Sequence, residues 1–224
     1  MCDFAVKGIK LDRLIVNGDG FDCFEISDYD RNPRADQILD REIREGAKVL
    51  SQLASVAPHR TWLGGNHEDR WRRFQWRKAP QLSSLESFEF PEVFGLTKHG
   101  FEYKPYGGAV NLGKLVVTHG FLVRSQSGMT GRATFERLGT SCLVGHTHRL
   151  GAWYLTDMRG PHVAYENGCL CKLKADWVQH ANWQQGFSIV HHDPKNGLFN
   201  VQQVPILPGK KFWFGDKLYG GKNG

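Results

Sequence analysis

The sequence predicts a layered α/β domain, and three observations carry that expectation. Short apolar strands alternate with helical stretches through residues 12–150. Four of those strands run straight into glycine together with an Asp, Asn or His, and open α/β sheets place their sites at the carboxyl ends of strands. Further strand-like runs follow at residues 162–166, 186–191 and 198–204, enough to supply a second sheet.

The elements follow in order. Residues 12–17 read as a buried strand through Leu14, Ile15 and Val16, leading into Gly18-Asp19-Gly20. Residues 35–54 read as an amphipathic helix with Leu39, Ile43, Ala47, Leu50 and Ala54 on one stripe. Pro33 stands just before it, where a helix start tolerates proline. A second strand over residues 60–64 ends in Gly64-Gly65 and then Asn66-His67-Glu68, and a helix over residues 68–78 is stopped by Pro80. Residues 80–110 are less regular and aromatic-rich. Leu115-Val116-Val117 leads into Thr118-His119-Gly120, and Cys142-Leu143-Val144 into Gly145-His146-Thr147-His148. The expected organisation is one domain over residues 1–207. A loosely held tail, rich in Gly and Lys, is expected over residues 208–224.

Composition narrows the function classes. The 224 residues suffice for a compact domain with a sizeable core, and 40% hydrophobic with 23% charged residues is ordinary for a globular protein. No run of 18 apolar residues occurs, which excludes a membrane-spanning helix, and Met1 to Lys7 lack the basic-then-apolar order of a signal peptide. Cys2, Cys23, Cys142, Cys169 and Cys171 are odd in number and irregular in spacing, as expected for reduced thiols in a cytosol-like compartment. They read as structural thiols, although Cys169 and Cys171 form C-x-C. A net charge of +6 suits anionic substrates, nucleic acid included.

The four turns carry a coherent donor set. Asp19 offers a carboxylate that can bridge two cations, Asn66 a carbonyl oxygen, and His119, His146 and His148 imidazole nitrogens. Such an oxygen and nitrogen mixture without thiolate suits Zn, Mn, Fe or Mg in a hydrolytic site. Taken singly, His99, His162 and His191 read as loop residues. The grouping of one ligand type at each of four strand ends argues for one or two divalent metal ions. Ser141 and Cys142 read as strand residues, so no serine or cysteine nucleophile is invoked.

Gly18-Asp19-Gly20-Phe21-Asp22 matches G-D-x-x-D, Gly65-Asn66-His67-Glu68 matches G-N-H-E/D, Thr118-His119-Gly120 a single-His motif, and Gly145-His146-Thr147-His148 G-H-x-H. In this order the four motifs resemble the calcineurin-like metallophosphoesterases. Glu166 to Leu170, Asn182-Trp183-Gln184 and Gly186-Phe187 look like phage and prophage members, which implies the host cytoplasm as location. The resemblance implies a layered αββα sandwich and hydrolysis of phosphate mono- or diesters by a metal-activated hydroxide. It implies that Asp19 bridges both metals. Asn66, His119 and His146 complete one metal, and His148 binds the other. His67 contacts the phosphoryl group or protonates the leaving oxygen, and Asp22 orients a ligand or the turn.

One departure matters. The family normally begins with D-x-H on a first strand, completing the metal that His148 shares. Only 18 residues precede Asp19, and Asp3 is followed by Phe4-Ala5, so neither the motif nor that strand is expected here. Three explanations compete: a shortened product, substitution by Cys2, Asp3 or a partner chain, or a protein working with one well-held metal or none productively. With Asp19 and His148 alone, that metal falls short of the usual three protein ligands and is expected to be weak.

Substrate clues are fewer. Arg70 to Lys78 mixes five cations with three aromatics. It reads either as a nucleic-acid grip or as an amphipathic helix that buries Phe74 and one tryptophan with its arginines in water. Arg70 and Arg149, with Arg124 and Arg132, are candidates for holding phosphate. The alternatives to a phosphatase or phosphodiesterase are a nuclease and a catalytically impaired descendant that binds nucleic acid or protein.

Overall fold

The computed structural model describes residues 10–30, 38–173 and 180–220. Cys2, Asp3, Pro33 and the first residues of the expected helix over 35–54 lie outside them. The chain is mixed α/β and divides into two compact units, residues 1–108 and 109–224. Among the described residues, no helix is long and apolar enough to cross a membrane.

The first unit holds a parallel three-stranded sheet in the order β1 (Arg13–Asn17), β2 (His59–Leu63), β3 (Glu102–Lys104). Helix α1 (Leu39–Ala54) packs Leu39, Ile43, Leu50 and Leu53 against the core. Gly46 lies on that face because the Phe21 ring occupies the place of a side chain: a Cβ there would stand 2.1 Å from a ring carbon. Helix α2 (Asp69–Lys78) ends before Pro80, as expected from the missing N–H of proline. The irregular segment beyond it contains two 3-10 turns and the short helix α3 (Phe90–Val93). Its aromatic residues build the core: Phe90 stacks on Phe94 at 4.1 Å, and Phe21 meets the edges of both. Aromatic pairs in such offset and edge geometries add about 0.5–1.5 kcal/mol each beyond their buried area.

The second unit is built on a five-stranded mixed sheet in the order β4 (Ala109–Leu112), β5 (Leu115–Thr118), β6 (Ser141–Val144), β8 (Gly160–Asn167), β7 (Leu150–Asp157). The three inner strands are parallel and both edge strands run antiparallel to their neighbours. Helix α4 (Met129–Leu138) lies close on the sheet, with Gly131 against the Ala164 backbone and Phe135 among Cys142, Val144 and Ala164. Strands β9 (Gly186–His192) and β10 (Phe199–Pro205) form an antiparallel pair. The expected loose tail is corrected in part: β11 (Phe212–Phe214) and β12 (Lys217–Tyr219) make a hairpin. It is anchored because Phe212 and Tyr219 are buried and stacked on each other, and Phe187 meets Phe212 edge-on. Ser141 and Cys142 are buried strand residues as expected. The Ser141 hydroxyl accepts the Val163 N–H, and burial pushes the Cys142 thiol up to about 12.

Candidate metal centre

In the first unit, β1 ends at Asn17 and the chain turns sharply through Gly18 and Asp19, both at positive φ. Asp19 is not a glycine, so this left-handed conformation is uphill by about 1–3 kcal/mol and must be held from outside. Two carboxylates hold it. The fully buried Glu68 accepts the N–H groups of Asp19, Gly20 and Phe21 at 2.9, 2.9 and 3.3 Å, that of Gly65 at 2.7 Å, and the Trp62 indole N–H at 3.2 Å. Glu42, on α1, accepts the N–H groups of Asp22 and Cys23. Five consecutive backbone donors, residues 19 to 23, thus end on two glutamates. Burial and the nearby Asp19 charge push the Glu68 carboxyl up from its ordinary value, and the backbone donors pull against that.

The same cradle joins the β1 turn to the β2 turn. The His67 N–H donates to Asp19 Oδ1 at 3.1 Å, and Gly65 permits the approach, since a Cβ there would stand 2.1 Å from that oxygen. Asn66 sits half-buried in this turn, between β2 and α2. His67 Nδ1 lies 2.9 Å from Asp22 Oδ1, and its Nε2 lies 3.9 Å from Asp19 Oδ2. Burial alone would raise the Asp22 carboxyl, but the hydrogen bonds and charges of His67 and Arg70 outweigh it and lower the net value. An ionised carboxylate only accepts, so Nδ1 carries the proton toward Asp22 and Nε2 is the nitrogen turned toward Asp19.

In the second unit, β5 and β6 end side by side, and the Gly145 N–H donates to the His119 carbonyl at 3.0 Å. The His119 and His146 rings meet edge-on with centroids 5.3 Å apart. His146 and His148 both take positive φ, 64° and 60°. Between them, the buried Thr147 donates its hydroxyl to Glu166 at 2.6 Å. Glu166 is fully buried and also accepts the Thr130 and Gly131 N–H groups at the start of α4. His148 lies against the Trp183 ring at 4.5 Å.

Three of the five predicted ligands therefore share a local signature. Among the described residues six non-glycines adopt positive φ, and Asp19, His146 and His148 are three of them. Strain of this kind clusters at functional sites, which makes these three residues candidates for one.

The arginine expectations fare differently. Arg70 donates to the carbonyl and carboxylate of Asp22 at 2.6 and 2.8 Å, which makes it a support for the His67 pair. Arg149 donates to the Arg124 carbonyl. Along α2, Arg72 and Arg73 pair with the buried Asp69, and Arg77 pairs with Asp28. Trp71 and Phe74 face the core, and Trp76 stays outside with the Arg72 guanidinium 4.7 Å from its ring. The amphipathic reading of this helix describes it better than the nucleic-acid grip.

Sequence reading passed over Cys169 and Cys171 as structural. Their sulfurs lie with a His148 nitrogen in one group, all ligand atoms within 4.8 Å of each other. The available signal was a further strand end, β8, followed by Gly168 and then Cys-x-Cys.

No family model matches the chain. It is 31% identical over 163 residues to the Gene 54 protein of Mycobacterium phage D29 and 30% identical over 158 residues to the Gene 54 protein of Mycobacterium phage L5. Each match covers 65% of this chain, and the chain spans 61% of the length of those relatives. The comparison thus places its similarity among bacteriophage proteins.

Proposed function

We propose that the protein is a metal-dependent phosphoesterase, with Asp19, Asn66, His119, His146 and His148 as ligands in an αββα sandwich of the calcineurin-like type. The observation that carries this reading is the backbone strain at Asp19, His146 and His148, in turns tied down by buried glutamates. Oxygen and nitrogen donors of these kinds fit Mn, Zn, Fe or Mg. When bound, such cations neutralise phosphoryl oxygens and supply a nucleophile from water at neutral pH.

The residues of the chain do the rest. Glu68 and Glu166 keep the ligand turns from relaxing before substrate arrives, so no reorganisation is needed during the reaction. Asp22 and Arg70 fix the His67 ring so that Nε2 is presented. From there the His67 imidazolium form gives its Nε2 proton to the leaving oxygen and is left as the neutral ring with its proton on Nδ1, a step worth about 10²–10⁴-fold. The pairing of the α2 arginines with Asp69, Asp28 and Asp22 favours a small phosphate ester over a nucleic-acid duplex.

The test is hydrolysis of p-nitrophenyl phosphate and its bis ester with added Mn2+. Activity should fall to background in Asp19→Ala and in His119→Ala alike, since each removes a proposed ligand. His67→Ala should lose about 100-fold or more. Activity unchanged in all three variants, or none in the folded parent with any of the four metals, ends the proposal.

A further inference from the structure

We propose that His148, Cys169 and Cys171 form a zinc site within the second unit, with one imidazole nitrogen and two thiolates as ligands. The three ligand atoms lie within 4.8 Å of one another. Zn–S and Zn–N bonds of about 2.3 and 2.0–2.1 Å in tetrahedral geometry put such atoms about 3.4–3.8 Å apart. Closing the group therefore needs a side-chain adjustment of about 1 Å, which falls on the exposed Cys171.

The backbone around the group is built rather than incidental. Gln184 donates its N–H to the His148 carbonyl at 2.9 Å and accepts the Cys169 N–H at 3.0 Å, so one residue ties both ligand segments. Gly186 donates to the Cys169 carbonyl at 2.9 Å, and the Gln185 side chain donates to the Cys171 carbonyl at 2.6 Å. Gly168 makes the return possible: it has φ +71°, and a Cβ there would stand 3.0 Å from the Gln184 carbonyl oxygen. The Trp183 ring backs the His148 imidazole, and His148 itself is held at positive φ.

Thiolates are soft ligands and select zinc over Mn or Mg. Three protein ligands leave one position open, the pattern of a zinc ion that still accepts water or another group. Both thiols give up their protons to solvent as the ion binds, while the imidazole binds neutral, so the ion's charge is balanced by the two sulfurs. The site goes beyond the phosphoesterase reading, since it needs neither Asp19 nor a phosphate ester.

The experiment is an anaerobic titration of the full, reduced chain with Co2+. A thiolate-to-cobalt charge-transfer band in the near ultraviolet and tetrahedral bands in the visible should appear and be displaced by Zn2+. Both should vanish in Cys169→Ser and Cys171→Ser, weaken in His148→Ala, and persist in Asp19→Ala and His119→Ala. Loss of a ligand should weaken zinc affinity by more than the roughly 10–100-fold that outlying partners cost. Circular dichroism checks that the serine variants fold, and Cys171, being exposed, supplies the mildest of them. No thiolate band in the folded parent, a band surviving in Cys169→Ser, or a Cys169–Cys171 disulfide in protein purified with reductant overturns the proposal. A thiolate band in a parent that hydrolyses neither ester sinks only the phosphoesterase reading. Asp19-dependent hydrolysis without the band sinks only this one.

Discussion

Glu68 in the first unit and Glu166 in the second are both fully buried carboxylates beside a strained turn that carries proposed ligands, yet they hold it differently. Glu68 faces donors alone: four backbone N–H groups and an indole N–H, none of which can reverse its role. Glu166 faces two backbone N–H groups on Oε1 and the Thr147 hydroxyl on Oε2, and a hydroxyl can turn from donor to acceptor. The first turn is gripped by its own backbone, the Asp19 N–H included. The second is gripped through one side chain placed between the two strained histidines. The first unit therefore demands an anion, whereas the second needs only a group with the right shape.

Glutamine substitution separates the two most sharply. In Glu68→Gln the amide NH2 must face at least two N–H donors, and each orphaned buried donor costs about 1–3 kcal/mol. A loss of about 3 kcal/mol or more in urea unfolding is expected, with weakened metal uptake. A loss under about 1 kcal/mol would remove the contrast.

Gly65→Ala comes next. Its Cβ would stand 2.1 Å from Asp19 Oδ1 and 2.7 Å from the Asp19 backbone nitrogen, so the turn must shift. Overpacking of this kind costs about 1–3 kcal/mol. Esterase activity should fall by more than the stability loss explains; activity close to the parent's would mean that Asp19 tolerates movement.

Glu166→Gln should be mild. Its oxygen keeps the two N–H donors of α4 and its NH2 donates to a reversed Thr147 hydroxyl, for a loss of about 1 kcal/mol. A loss as large as that of Glu68→Gln would show that charge, not shape, holds the second turn.

The smallest effect concerns pH. Burial opposes ionisation of Asp22, but His67 and Arg70 lower its pKa below the ordinary 3.8. A depressed carboxylate stabilises the fold above its unfolded pKa, and that contribution fades as pH falls through the folded value. Because Asp22 is half exposed, the parent should exceed Asp22→Asn by only a few tenths of a kcal/mol near neutrality. The gap should close below pH 3.8 in a urea series. A gap that widens on acidification reverses the assigned sign.

Strand ends were the legible part of this sequence because their signal is local: an apolar run, then glycine, then a ligand type. The starts of β1, β2, β5 and β6 fall within a residue or so of expectation for that reason. Helix α4 escaped notice because it buries Thr130, Gly131, Thr134 and Phe135, of which Phe135 alone is large and apolar, so little apolar stripe shows. The β11–β12 hairpin was hidden among Gly and Lys, since its hold comes from Phe187, distant in sequence. The nearness of Cys169 and Cys171 to His148 was hidden for a similar reason: Gln184 and Gln185, whose hydrogen bonds tie these segments, lie more than a dozen residues further on.

By itself the sequence determined the kinds of donor present and the strand ends that carry them, since both depend on neighbours along the chain. Only the tertiary structure decided that Asp19, His146 and His148 stand in left-handed backbone conformations. Such a conformation is unfavourable on local grounds, so no local pattern announces it. It persists because carboxylates from elsewhere in the chain, Glu68 from 49 residues beyond Asp19 and Glu166 from 19 beyond Thr147, take up the polar groups of the turns.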